Sequence, residues 1–178
     1  MKMFKRFAAA LLAGVMVLAM LTACGGGSGS GTSTIGEEFE NKYIAAINTL
    51  RGENAGNLEN DTDLRNKALA QLAKIKEDGT IAVNDANTSI VTYDADGKPA
   101  TVIIISVGTA NKGGVVDGVC QAKEITPESL EKDITTDSSD AEVVKAARAL
   151  KRVGIATKVI NGKTYGAVAM EISVPDNA

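Results

Sequence analysis

The segment Leu21–Ser33, LTACGGGSGSGTS, separates a leader from the part of the chain that can form a folded core. Before it, Lys2, Lys5 and Arg6 precede the uncharged apolar run 8–21, which is the layout of a secretory signal. This run is shorter than the roughly 20 apolar residues that a membrane-spanning helix needs. The pattern therefore indicates that the rest of the chain is exported.

A cysteine, Cys24, ends the apolar run, and LTAC at 21–24 resembles a bacterial lipobox. The resemblance implies that residues 1–23 are a lipoprotein signal peptide and that Cys24 carries diacylglycerol after cleavage. Each buried CH₂ contributes about 0.8 kcal/mol, so two or more acyl chains attach a protein durably to a membrane. Two alternatives stay open: a spanning helix extended through Cys24, and a cysteine that is one more apolar residue of the run.

Residues 24–36 are predicted to be the lipidated cysteine and a Gly/Ser tether, which as a flexible coil reaches about 20 Å. The remaining residues, 37–178, have the length of one domain. With Cys24 lipidated, only Cys120 remains, so no internal disulfide is expected. We interpret Cys120 as a small buried apolar residue, with a reactive thiol as the alternative.

The mature chain is acidic. Three of the 19 Lys and Arg residues lie in the leader, which leaves 16 against 22 Asp and Glu and a formal charge of −6. Nucleic acid and anionic lipid headgroups both require a basic face, so neither is expected as a partner. The expected location is outside the cytoplasm, on a bacterial membrane that the chain contacts through the lipid at Cys24.

Two helices are predicted at the start of the domain. Apolar residues recur every three or four positions over 37–52 and again over 62–78. Asp61 or Thr62 suits the N-cap of the second helix, and Gly79 suits its end.

Two further helices are predicted in the second half. Thr126 is placed as an N-cap with Pro127 at the first helical position. Ser139 and Glu142 are interpreted as the capping box of the next helix, which is expected to stop near Gly154.

Extended structure is predicted between these helix pairs. The segments 88–94 and 101–107 are rich in β-branched residues and flank Asp96-Gly97, which favours a tight hairpin turn. The unbroken apolar run Val102–Ile105 predicts a strand covered on both faces and therefore central in a sheet. An aggregation-prone edge strand is the alternative.

A second hairpin is predicted at the end of the domain. The strand-like segments 154–160 and 163–174 flank Asn161-Gly162, a strong short-range hairpin signal. Helices at both ends of a largely hairpin-built sheet indicate a layered structure of the α/β class. We expect a three-layer α-β-α sandwich with a mostly antiparallel sheet.

Three stretches carry motifs of one extracellular domain family. Residues 47–73 contain a helix ending in an R-x-x-N pattern, a short loop, an acidic residue and a second helix spaced by alanines. TPESLEKDITTDSSD at 126–140 and VGIATKVINGKTYGAVAMEIS at 153–173 supply a helix with its loop and a final hairpin. Together they resemble the CAP superfamily, the SCP-like extracellular domain, although the middle of the chain matches poorly. The resemblance implies that 37–178 is a CAP-like domain.

The chain departs from the CAP pattern where chemistry is concerned. Members with the full pattern line a central cleft with two histidines and two glutamates, which can hold a divalent metal. This chain has no histidine, and Asp140 falls where the second histidine would be. The resemblance therefore implies a possible vestigial cleft at Asp140, with no metal, cofactor or catalytic residue.

The expected function is a degenerate, non-catalytic CAP-like binding or interaction domain on a lipid anchor. It would contact an extracellular protein, a glycan or a small apolar molecule. The alternative is a carboxylate-dependent hydrolase acting on cell-envelope or extracellular glycan. That enzyme would require Asp140 and a second acid to share a pocket in which their pKa values are raised.

Overall fold

The computed structural model describes residues 34–110, 117–132, 134 and 140–174. A single turn of 3₁₀ helix, Glu53–Ala55, separates the first two helices. In chain order the helices and strands are α1 Ile35–Arg51, α2 Thr62–Leu72, β1 Thr80–Ala82, α3 Val83–Ala86, β2 Asn87–Tyr93, β3 Pro99–Val107, β4 Val119–Gln121, α4 Pro127–Lys132, α5 Ala141–Ala149, β5 Leu150–Ile160 and β6 Lys163–Ser173.

Four strands form an antiparallel sheet in the order β2-β3-β6-β5. The hairpins β2–β3 and β5–β6 join along β3 and β6, so β2 and β5 are the edge strands. β1 and β4 form a separate antiparallel pair. The predicted central position of Val102–Ile105 is confirmed, because this run lies in β3 and is buried.

Apolar side chains cover both faces of the four-stranded sheet. Leu64 and Leu72 of α2 pack with Ile103 and Ile105 on one face. Residues of α1 and α5 pack with the alternate side chains of the same strands on the other face, namely Tyr43, Ile47, Ala146, Val102, Ile104, Val168, Met170 and Ile172. The chain is therefore a mixed α/β structure on an antiparallel sheet, as predicted.

Both predicted hairpin turns are confirmed. Asn161 and Gly162 have φ angles of 49° and 77°, so both adopt the left-handed conformation of a type I′ turn. In the other turn, the Asp94 carboxylate accepts hydrogen bonds from the backbone N–H groups of Asp96 and Lys98, at 2.9 and 2.8 Å. The carboxylate thereby replaces backbone partners inside the loop.

The first helix begins two residues earlier than predicted, because a capping box lies upstream of the expected start. Thr34 N–H donates to the Glu37 carboxylate at 2.9 Å, and Glu37 N–H donates to Thr34 Oγ1 at 3.3 Å. Ile35 and Gly36, which were expected in the tether, therefore form the first turn of α1.

The second helix ends at Leu72, so its predicted extension to 78 was wrong. Its predicted N-cap is confirmed, since the Asp61 side chain accepts from the backbone of α2. After Leu72, the N–H of Lys74 donates to the carbonyl of Gln71, a tighter bond that unwinds the helix before β1. The start of α4 at Pro127 is as predicted.

Gly154 does not end a helix, contrary to the prediction. α5 ends at Ala149 and β5 begins at Leu150, which places Gly154 inside the strand. A Cβ at this glycine would lie 2.1 Å from the backbone N of Arg65 and 2.3 Å from the carbonyl carbon of Leu64. Glycine is needed here because the backbone of α2 approaches β5 too closely for any side chain.

Candidate functional site

Asp140, the residue expected in a vestigial cleft, caps the N-terminus of α5. It is exposed, and its Oδ1 accepts from the backbone N–H groups of Glu142 and Val143 at 3.0 and 3.3 Å. The N-cap is therefore Asp140, while the predicted cap Ser139 lies outside the described residues. In the structure, Asp140 accepts hydrogen bonds from backbone N–H groups in the first turn of α5, which have no partner within the helix.

The other two residues singled out from the sequence are both cysteines. Cys24 lies outside the described residues, so its lipidation stays a prediction. Cys120 lies in β4 as a free, half-buried thiol, and its Sγ donates weakly to the carbonyl of Ile81 at 3.6 Å. It packs against the apolar cluster beneath α2, in keeping with a small apolar residue, although it is less buried than expected.

Across the described ranges, no three Cys, Asp or Glu side chains converge as a metal site would require.

Arg51, at the start of the R-x-x-N pattern, is buried, with 6% of its surface exposed. Its Nη1 donates to the carbonyls of Ala147 and Leu150, both at 2.7 Å. Its Nη2 and Nε donate to the carbonyls of Ala55 and Gly56 at 2.7 and 3.0 Å. Burial lowers the pKa of this guanidinium. Arg51 thus ties the end of α1 to the junction of α5 and β5, which is a structural role.

The outer edge of β5, which we call the β5 edge, is closed by a side-chain amide. Asn60 Oδ1 accepts from the N–H of Ile155 at 2.8 Å, and Asn60 Nδ2 donates to the carbonyl of Ile155 at 2.9 Å. One residue further along, Asp61 N–H donates to the carbonyl of Val153 at 2.8 Å. Asn60 therefore supplies both bonds that a neighbouring strand would otherwise provide.

Glu40 continues this closure toward the end of β5. Its carboxylate accepts from both the N–H and the Oγ1 of Thr157, each at 3.0 Å. The same carboxylate accepts from Arg65 Nε and Nη2 at 3.0 and 3.1 Å, and the hydrogen bond to Glu40 raises the pKa of Arg65. Glu40 is thus engaged by several donors at once, and the β5 edge is closed from Val153 to Thr157.

Another acid, Glu171, is buried and is also paired. Arg152 Nε donates to Glu171 at 2.8 Å, and Arg152 Nη1 donates to Asp61 at 3.2 Å. The pKa of Asp61 is lowered, first by the hydrogen bond from Leu64 N–H and further by the nearby guanidinium. A general acid needs the opposite shift. Asp61 is therefore poorly suited to proton transfer, and the pairing of Glu171 with Arg152 stabilises the fold.

The outer edge of β2, residues Asn87–Tyr93, is the opposite edge of the sheet, and we call it the β2 edge. Ile90 is 43% exposed, Val91 is 37% exposed and Tyr93 is 64% exposed. Ile90 stands opposite Ile103 and Val91 opposite Val102, so apolar surface reaches solvent on both faces of the sheet. Within the described ranges, no strand pairs with the β2 edge.

The β2 edge has few of the features that protect edge strands from pairing. Its sequence, NTSIVTY, contains no charged residue and no proline. A register shift does occur, but only between Thr92 and Tyr93 at the end of the strand. Sequence reasoning predicted this strand and missed its exposure. The available signal was the absence of any charged residue in a stretch rich in small polar and β-branched residues.

Three buried side-chain oxygens in the described residues have no hydrogen-bond partner: Asn87 Oδ1, Thr88 Oγ1 and Ser106 Oγ. Asn87 stands opposite Ser106 on one face of the sheet, and the next residue, Thr88, points to the other face, opposite Ile105. An unpaired buried polar group costs about 1–3 kcal/mol. The hydrogen-bonding groups at this end of the β2–β3 pair are therefore less completely paired than those of the β5 edge.

Comparison with protein families, with curated proteins and with solved structures finds no match to this chain. No helix in the described part of the chain combines the length and the apolar character of a membrane span. The difference between the β5 edge and the β2 edge is thus the feature from which function can be argued.

Proposed function

We propose that this chain is an extracytoplasmic bacterial lipoprotein, anchored through Cys24, whose domain is a non-catalytic CAP-like interaction module. The packing of α2 on one sheet face, and of α1 and α5 on the other, supports a three-layer α-β-α arrangement. The proposal does not depend on the ligand set of the CAP family, because its support comes from the edges of the sheet.

The observation that carries the proposal is the contrast between the two sheet edges. Asn60 and Glu40 occupy the backbone groups of the β5 edge, whereas the β2 edge is uncharged and exposes apolar side chains. An exposed strand edge binds an extended segment of another chain through backbone hydrogen bonds. The module therefore contacts a protein partner by adding a strand beside β2.

A catalytic function has less support from the same residues than an interaction function. The chain has no histidine, so acid–base work would fall to carboxylates. Glu40 and Glu171 are bound by Arg65 and Arg152, and Asp140 is engaged by the first turn of α5. The hydrolase alternative would need one of these groups to be released from its partners.

The test is site-specific photo-crosslinking in the native envelope. A photoreactive residue is placed in the full chain at Ile90, Val91 or, as the control, Val159, which is 64% exposed on β5. We expect cross-linked protein adducts at Ile90 and Val91 and few at Val159. Equal adducts at all three positions, or none at any, would overturn the proposal. Mass spectrometry of the same material tests acylation of Cys24.

A further inference from the structure

We propose that the strand added beside β2 is β2 of a second copy, so that the chain forms a two-fold dimer with one continuous sheet. This inference rests on the proposed use of the β2 edge and names its partner. Each copy contributes four strands, with β2 at one edge and the closed β5 at the other. Joining two copies through β2 places a β5 edge, closed over 153–157, at both ends of the joined sheet, which favours a dimer over further strand addition.

The absence of charge on β2 favours its pairing with β2 of a second copy. A two-fold axis normal to the sheet makes the two β2 strands antiparallel and brings the residues at the axis next to their own counterparts. A charged side chain near the axis would then meet the same charge, and like charges in opposed positions are destabilising. Asn87–Tyr93 carries no charge at any position, so no register of self-pairing is penalised in this way.

The length of β2 selects one register. The strand spans Asn87–Tyr93 and its central residue is Ile90, so an axis at Ile90 pairs every residue of the strand. Ile90 then faces Ile90 of the second copy, Ser89 faces Val91, and Thr88 faces Thr92. Moving the axis to a neighbouring residue leaves strand ends unpaired. The register at Ile90 thus buries the apolar residues of both sheet faces.

The position of the anchored end also fits this dimer. The described chain starts at Thr34, directly before α1, and α1 packs on the sheet face that carries Val102 and Ile104. Rotation about an axis normal to the sheet keeps each face on its own side. Both copies therefore carry the start of α1 on the same side of the joined sheet, which is compatible with attachment to one membrane. Shared attachment raises the effective concentration of each copy for the other.

The first test is thiol cross-linking of the full chain in membranes, in a Cys120→Ser background, with a short bifunctional thiol reagent. Ile90→Cys should yield a cross-linked homodimer at least tenfold more efficiently than the control Val159→Cys. Ser89→Cys and Val91→Cys, both at exposed positions, should cross-link to each other when co-expressed, and more weakly when each is expressed alone. Equal yields for Ile90→Cys and Val159→Cys would indicate random collision and overturn the dimer.

The second test disrupts the dimer with one substitution and restores it with a compensating one. Val91→Lys should reduce the Ile90→Cys homodimer at least tenfold, because its ammonium group is placed in the apolar contact. Adding Ser89→Glu should restore it, because each new carboxylate then faces a lysine of the other copy. Val159→Lys is the matched control and should have no effect. Failure of the double variant to recover the dimer, with circular dichroism unchanged, would contradict the register.

The two proposals fail separately. Photo-adducts of Ile90 that contain only a different protein would overturn the dimer and leave the interaction module standing. If Ile90 forms neither a homodimer nor any protein adduct, both proposals are overturned.

Discussion

Replacing Asn60 with alanine tests the closure of the β5 edge most simply. The amide makes two bonds to one residue, from Ile155 N–H at 2.8 Å and to the Ile155 carbonyl at 2.9 Å. Alanine removes both and leaves the backbone of Asn60 and Asp61 in place. The change therefore isolates a side chain that acts as a substitute strand.

The magnitude is set by those two bonds. A typical intramolecular hydrogen bond contributes about 0.5–1.5 kcal/mol net, so their loss lowers the free energy of unfolding by about 1–3 kcal/mol. The third contact of the amide, to Glu40 at 3.3 Å, is long and adds little. Asn60→Asp should be at least as damaging as alanine, because it places a carboxylate oxygen against the Ile155 carbonyl.

Urea unfolding of the mature chain, followed by circular dichroism, measures this free energy. Amide hydrogen exchange gives the site-specific readout: Ile155 N–H should exchange faster in the variant, while Thr157 N–H keeps its bond to Glu40. Asn57→Ala, at an exposed loop position, serves as the control. A free energy within about 0.5 kcal/mol of the original, together with an Ile155 amide as protected as before, would refute the reasoning.

Four further outcomes are expected. Arg51→Met should lower the free energy of unfolding in urea by about 3 kcal/mol, because several buried carbonyls lose a charged donor. Gly154→Ala should lower it by about 1–3 kcal/mol or more, whereas Gly108→Ala, whose Cβ would lie 3.9 Å from its nearest neighbour, should melt close to the original chain. Asp61→Asn keeps a capping side chain but loses the charge. Since the pKa of Asp61 is lowered in the folded chain, its charge stabilises the fold above the unfolded-state pKa of about 4, and the deficit of the variant at pH 7 should shrink as urea titrations are carried to lower pH. Ser106→Ala removes an unpaired buried hydroxyl, so calorimetry should show unchanged stability or a gain of about 1 kcal/mol.

Features set by local sequence were predictable. The type I′ turn at Asn161-Gly162 needs two left-handed residues in succession, and few dipeptides accept this conformation. The central position of Val102–Ile105 could be deduced from its unbroken apolar character, since both faces of the strand must be covered. The Asp61 cap is likewise encoded by the residue itself and its immediate neighbours.

Features set by distant contacts were not predictable. In the sequence Gly154 resembled the end of a helix. Glycine is required at this position because the backbone of Arg65, on α2, lies too close for a side chain. Asn60 is 95 residues from Ile155 in sequence, so nothing near it indicates that its amide completes a strand edge. The candidate site depends on the contrast between two edges, and that contrast requires the strand order.

The most direct test of the interaction surface is hydrogen exchange of the β2 edge in its native setting. Exchange of 87–93 is measured by mass spectrometry in envelope vesicles that carry the full chain, and again after extraction in detergent and dilution. We expect slower exchange of 87–93 in the vesicles and equal exchange of 153–157 in both samples, because the β5 edge is closed within each molecule. Identical exchange of 87–93 in the two samples would contradict an occupied β2 edge.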